Sequence, residues 1–281
     1  MSTMKLSGAA WSWVGTTLRE SAQIWRTLGI NAMDLIAFPA AGGGLTTIDD
    51  DPLGTAKTVQ EVDIELANLL YIFGADFEDR AVNSPDDAVR ASNRNTMQNV
   101  AEFCAAANIP SVIILPGIDR DGVAHEDSLE LAAEGLLELT AIGNQAGVKV
   151  LFEPHLLSVL ESPHECLEFL QKYSDLGIVL DHSHFVANGY GHEDIDPLIP
   201  YSGHIHLRQG KSVPPNQEYT GELQCIWDEG EIDCPLIMRQ LKDQNYDGYI
   251  CFEYEMDPWL ALVDVMTETI KMRDVIFAEL N

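Results

Sequence analysis

Four apolar stretches in the second half of the chain run straight into residues that titrate or bind metal. "VKVLFEPH" ends in Glu153 and His155, and "GIVLDHSHF" carries Asp181, His182 and His184. "GHIHLRQG" holds His204 and His206, and "GYICFEYE" ends in Glu253 and Glu255. Burying such groups is costly unless they are paired or bound to metal. Any one of them alone reads as a hydrogen-bonded wall residue or a solvated rim charge; four in succession read as a set. Side chains alternate along a strand. Glu153 therefore shares a face with His155, His206 with His204, and Glu253 with Glu255, while His182 points away from Asp181. A Glu, Asp, His, Glu set offers one nitrogen and three carboxylates. It suits Mn²⁺, Mg²⁺, Co²⁺ or Zn²⁺ with positions left for water and substrate. Three carboxylates so close need a cation, or one must stay protonated. By residue type, His155, His182 and His204 fit a wall role equally well. His125, His164 and His192 lie in loops or helix starts and read as surface.

The elements that must position this set repeat along the chain. "LSGAAWSW", "AMDLIAF", "LANLLYIFG" and "PSVIILPG" are strand-like, as are the four stretches above. Each is followed by a helical pattern: "LRESAQIWRTLG", a weaker helix over 55–62, 87–107, "DSLELAAEGLLELTAIGNQAG", "PHECLEFLQKYSD", a short acidic helix over 193–199, "CPLIMRQLKDQN" and "ALVDVMTETIKMRDVIFAEL". Strands apolar on both faces belong to buried parallel sheets. Eight strand–helix units predict a closed (β/α)₈ TIM barrel of α/β class, filling one domain from 1 to 281. A doubly wound open sheet is the second choice, weakened because "WSWVGTT" is no Gly-x-Gly-x-x-Gly turn. In a barrel the C-terminal strand ends share one mouth, so the four polar ends converge there. The loop "AAGGG" reads as a flexible turn or a lid over that mouth.

Charge narrows the partners. Forty-five acids against 16 Lys plus Arg give a net charge of −29 in 281 residues. That surface repels phosphate backbones and anionic lipid, so neither nucleic acid nor a membrane is an expected partner. The opening "MSTMKLSGAAWSW" reads as strand rather than secretory leader. Five cysteines without CxxC spacing read as reduced thiols, and the expected location is cytoplasmic.

The motifs "LFEPH", "IVLDHSHF", "GHIHLRQG", "GEID" and "YDGYICFEYE" resemble the xylose-isomerase-like TIM barrels, the sugar (phosphate) isomerase/epimerase superfamily, most specifically over 149–259. The resemblance implies one divalent metal per site, manganese first, held by Glu153, Asp181, His206 and Glu253. It makes His184, three residues after Asp181, a substrate-binding and catalytic residue. Ketose 3-epimerases of this superfamily carry a Glu where this chain has Val159 and an Arg where it has Ser212. "HLRQ" also lacks the Asp of the commoner "HLKD". Arg208 and Lys211 are the nearby substitutes, and no Gly-rich phosphate loop is present.

The implied activity is isomerisation or epimerisation of a carbohydrate-derived hydroxy-ketone through a metal-stabilised enediolate, with Glu153 and Glu253 as the acid/base pair. His155, Arg208, Trp13 and Trp259 are substrate-binding candidates, the two indoles as apolar faces for a sugar ring. A lyase on the same site, an inosose-type dehydratase or a 3-keto-C-glycoside deglycosidase, is the alternative. Endonuclease-IV-type repair lacks its further ligands and basic surface here. A non-catalytic barrel is the remaining reading. A homo-oligomer, or a hetero-oligomer with a small subunit, would be compatible.

Overall fold

The structure is a computed structural model that describes residues 4–212, 221–257 and 260–280. Its strands are β1 (Lys5–Ala9), β2 (Ala32–Phe38), β3 (Gly43–Gly44), β4 (Glu65–Tyr71), β5 (Ser111–Ile114), β6 (Lys149–Phe152), β7 (Gly177–Asp181), β8 (Ser202–Leu207) and β9 (Tyr249–Phe252). The helices are α1 (Leu18–Thr27), α2 (Pro52–Gln60), α3 (Asp87–Ala107), α4 (His125–Gln145), α5 (Pro163–Lys172), α6 (His182–Ala187), α7 (His192–Ile195), α8 (Cys234–Asp243) and α9 (Val265–Leu280). Eight strands pair in parallel in the order β1-β9-β8-β7-β6-β5-β4-β2, and β1 pairs with β2 to close the ring. β3 adds a short antiparallel edge to β2, formed by the glycine-rich loop. The expected (β/α)₈ barrel is the observed fold.

Local chemistry starts the helices where the sequence changes period. Thr17 accepts from the Glu20 backbone N–H, and Glu20 returns a bond to the Thr17 N–H, which closes a capping box on α1. Asp51, Ser162 and Asp233 cap α2, α5 and α8, each with proline in the first turn.

Two departures matter for the site. "GIVLDHSHF" is not all strand: β7 stops at Asp181 and α6 starts at once, with Asp181 as its cap. The helix expected over 193–199 divides into α7 and a 3₁₀ turn, Asp196–Tyr201, because Pro197 and Pro200 remove the donors an α-helix needs.

Outward strand residues such as Phe152 and Phe252 pack against the helices, with Phe252 edge-on to Trp25 at 6.5 Å. The inward face is divided. Leu70, Ile113, Leu151 and Val179 form a small apolar cluster. Ser7, Asp34, Asn68, His204, His206 and Cys251 are buried polar or sulfur-bearing residues of β1, β2, β4, β8 and β9. All five cysteines are free and buried. Among the described residues no helix is long and apolar enough to cross a membrane.

Gly8 shows how tightly the ring meets its helices. A Cβ there would lie 2.1 Å from Trp25 Cε2, and the Trp25 indole N–H donates to Ala9 O at 3.1 Å. Gly8→Ala should therefore cost about 1–3 kcal/mol through overpacking. A urea denaturation midpoint equal to the parent's would show that Trp25 relocates freely.

Candidate metal centre and active site

Strand alternation delivers the predicted residues to one place. His204 and His206 project inward from β8, and Asp181 and His206 are register partners across β7 and β8. Cys251 is the register partner of His206 on β9, with Glu253 the next inward residue towards the mouth. Glu153 follows β6, and its backbone N–H donates to Ile114 O at 3.0 Å. Glu153, Asp181, His206 and Glu253 are each at most 4 % exposed.

His206 is the hub. Its Nδ1 lies 3.0 Å from Glu153 Oε1 and 3.0 Å from Glu253 Oε2. None of these buried atoms makes an aligned hydrogen bond. Burial works against a charged imidazole, but Glu253 and Glu153 outweigh it and hold His206 well above the usual histidine range. Burial would likewise push Glu153 up, yet His206, with help from His155 and Arg208, keeps it low. One donor atom each from Glu153, His206 and Glu253 lies within 4.8 Å of the others, and the same holds for Glu153, Asp181 and His184. Glu153 is thus common to two adjoining trios, which together contain the four expected ligands.

Asp181 is engaged differently. Its Oδ1 accepts from the Ser183 N–H at 2.8 Å, and its Oδ2 accepts from Arg208 Nη2 at 2.8 Å. Arg208 also donates to Ser183 Oγ at 3.0 Å and to Glu255 Oε1 at 2.5 Å, and lies 3.7 Å from Glu253. The guanidinium therefore stands among three carboxylates. Burial opposes its charge, but Asp181, Glu253 and Glu255 more than compensate.

His184 reaches the site because α6 begins at Asp181, so the two are one turn apart, with Nε2 3.6 Å from Asp181 Oδ2. Its Nδ1 accepts from the Leu156 N–H at 3.3 Å, and Arg208 Nη2 lies 3.4 Å from its Nε2. Burial, with His155, Arg208 and His206 nearby, pushes it well below the usual range. The His155 ring lies on His184 at 3.9 Å, with Phe77 edge-on to His155 at 5.1 Å.

Other expectations fall elsewhere. Trp13 is buried against Trp25 at 4.8 Å, and it is Trp11 whose ring lies 6.1 Å from His206. Trp259 lies outside the described residues. Val159 is buried, its N–H donating to Gly117 O. Ser212 donates to Glu231, and Lys211 pairs with Glu229 and Glu222. Gln209, in the place of the "HLKD" acid, exchanges hydrogen bonds with the Ile232 backbone and so anchors the end of β8. His192 is not the surface residue expected. It donates to Asp196 and accepts from the Asp233 N–H, beside buried His182.

Sequence reading missed Asp34. It sits in the apolar run "AMDLIAF" of β2, fully buried, with Oδ2 2.7 Å from His204 Nε2 and 3.7 Å from His206 Nε2. Burial alone would raise it, but the two histidines hold it below the usual carboxylate range. A lone acid between Met33 and Leu35 was the available signal.

The sequence matches the family described as Xylose isomerase-like TIM barrel over residues 23–273. The chain belongs to this family. Among curated relatives it is 28 % identical over 182 residues to an inosose dehydratase of Clostridium perfringens, covering 59 % of this chain and 60 % of that one. It is also 28 % identical over 193 residues to a 2-oxo-tetronate isomerase of Pectobacterium atrosepticum, covering 59 % and 67 %. The chain thus spans about three fifths to two thirds of these relatives' lengths. A solved structure of a protein named IOLI with a bound zinc atom shares the fold at TM-score 0.72 and 16 % identity, over 99 % of this chain and 96 % of that one.

If Arg208 supplies the positive charge these carboxylates require, Arg208→Met should destabilise the metal-free protein by about 3–5 kcal/mol, the effect of breaking a buried ion pair. Added Zn²⁺ or Mn²⁺ should then raise the melting temperature more in the variant than in the parent. Equal shifts in the two proteins would remove Arg208 from that role.

Proposed function

We propose that the chain is a divalent-metal-dependent isomerase or epimerase of an uncharged polyhydroxy-ketone. The observation that carries this reading is the convergence of Glu153 Oε1, Glu253 Oε2 and His206 Nδ1, all buried and without aligned hydrogen bonds. Orphaned donors of this kind fit a cation, and one nitrogen with carboxylate oxygens is a donor set for Mn²⁺, Mg²⁺, Co²⁺ or Zn²⁺. Glu153, Asp181, His206 and Glu253 would hold it. When bound, the cation supplies Lewis acidity that eases negative charge on nearby substrate oxygens.

The proton chemistry belongs to the protein. Glu153 and Glu253 approach His206 from strands on either side of β7 and β8, so they can flank a substrate placed over it. One carboxylate oxygen takes the proton from the carbon beside the carbonyl, and the other glutamate, having taken a proton from a substrate hydroxyl or solvent, delivers it to carbon to complete isomerisation or epimerisation, while the first gives its proton back to the hydroxyl or solvent. His184 and Arg208 present donors to substrate oxygens. His155 and Trp11 offer ring faces to the sugar.

Charge supports an uncharged substrate. Asp181, Glu253 and Glu255 already surround Arg208, while Lys211 is paired with other acids and Arg80 with backbone and polar side chains. Beside the cation, neither Arg208, Lys211 nor Arg80 is then left to meet a phosphate or carboxylate. Buried free thiols suit a reducing compartment such as the cytoplasm.

The likeness to inosose dehydratase favours one alternative on the same residues. Glu153 or Glu253 again removes the proton beside the ketone, and a β-hydroxyl then leaves as water, taking its proton from a neighbouring acid such as His155.

Glu153→Gln and Glu253→Gln keep an oxygen donor but remove the base. Each should slow deuterium uptake from solvent into a ketose or inosose by roughly 10²–10⁴-fold, with partial metal binding retained. Parent-rate exchange in both metal-loaded variants would transfer the base role to His155 or His184. Loss of water from the product would select the lyase. Chelation should abolish turnover while far-UV circular dichroism persists, because the barrel buries its own core. Unfolding would mark the metal as structural. Reconstitution with Mn²⁺, Mg²⁺, Co²⁺ and Zn²⁺ in turn tests the expectation of manganese.

A further inference from the structure

Beneath the centre, Asp34 raises a question that the acid/base chemistry does not answer. The residue is fully buried in β2 between Met33 and Leu35, themselves buried. Its Oδ2 lies 2.7 Å from His204 Nε2 and 3.7 Å from His206 Nε2, and neither of its oxygens makes an aligned hydrogen bond. A carboxylate kept dry at that depth is costly unless its charge is used.

The use follows from the two nitrogens of His206. A neutral imidazole carries one N–H, and the partner of one nitrogen decides the state of the other. With the proton on Nδ1, the N–H would point at Glu153 and Glu253 and block the very lone pair a cation needs. With the proton on Nε2, Nδ1 is bare towards those two carboxylates, and the buried Nε2–H requires an acceptor on the opposite side. Nε2 faces Asp34 Oδ2, and one ligand atom each of His206, Asp34, His204 and the Cys251 thiol lies within 4.8 Å of the others. The His204 nitrogen is itself directed at Asp34, and a thiol accepts weakly. Asp34 is the strong acceptor there. We propose that Asp34 is a positioning residue: by facing His206 Nε2 from below, it fixes the ring and its tautomer so that Nδ1 faces Glu153 and Glu253 as a metal ligand. His204 holds the Asp34 carboxylate from the side. The inference rests on reading the upper cluster as a metal centre.

Asp34→Asn keeps the shape and an oxygen acceptor but loses the charge; Asp34→Ala loses both. Titration with Co²⁺ and Zn²⁺ by calorimetry should show affinity weakened about 10–100-fold in Asp34→Ala, the usual effect of removing a ligand's outer partner, and less in Asp34→Asn. The Co²⁺-loaded parent should also give a paramagnetically shifted, slowly exchanging proton signal from His206 Nε2–H, which exchanges faster in Asp34→Asn and is lost in Asp34→Ala. A purely structural Asp34 would lower the urea midpoint without moving that signal or the affinity. If Asp34→Ala does not fold, the isosteric Asp34→Asn carries the test. Parent-like affinity and exchange in a folded variant would overturn the inference while leaving the metal centre standing. A parent that binds two Co²⁺, one of them lost in Asp34→Asn, would also overturn it, because Asp34 would then itself be a ligand. A parent that binds neither Co²⁺ nor Zn²⁺ would overturn the metal centre and this inference together.

Discussion

Negative charge gathered inside a dry barrel has to be met by positive charge at short range. Asp34, Glu153, Asp181, Glu253 and Glu255 reach the inner face from β2, β6, β7 and β9 or the residues just past them. The protein's answer comes almost entirely from one strand. His204, His206 and Arg208 occupy alternate positions of β8 and its end, all facing inward, and each is set against acids from the other strands. A slip of one residue in β8 would turn all three outward at once. The surrounding structure guards against that slip. Gly203 leaves room for Leu151, to which a Cβ would come within 2.7 Å, and Gln209 ties the far end of the strand to the Ile232 backbone.

The same constraint explains why the inner face is divided. The apolar cluster of Leu70, Ile113, Leu151 and Val179 fills space beside the charges without adding polar groups that would need partners. Asp34, His206 and Cys251 group with His204, and Asn68 and Ser7 are the register partners of Asp34 and Cys251. Segregation keeps each charged atom near a partner and each methyl group near another.

The eight-fold alternation was legible because most strands are short and apolar and several helices open on a capping Ser, Thr or Asp. The four main acid and histidine positions were legible because strand ends are where polarity interrupts those runs. His184 could not be reached by alternation, since α6 replaces the strand after Asp181 and changes the period from two residues to a helical turn. Asp34 escaped because a single acid inside an apolar strand shows its meaning only when the ring closes and β2 faces β8 across the interior. The sequence likewise could not show that Trp13 packs in the core while Trp11 turns towards His206. Neighbouring indoles of one loop differ in which way they turn, and that is decided by packing against Trp25. Of the two cations expected in place of the arginine at position 212, Arg208 is the one that enters the site, and Lys211 pairs with Glu222 and Glu229 instead.

Helix α6 is barely more than one turn long, yet it stands between two polar clusters. Residues two apart on a helix project roughly 200° apart, so His184 faces the barrel mouth while His182 faces Asp196 and His192 behind it. Gln240 of α8 donates to the same Asp196. The peripheral helices are thereby joined to the pocket by a chain of polar contacts only a few residues long. A change on the outer face of α8 that displaced Asp196 would be met first by His182, two residues from His184 in the same short helix.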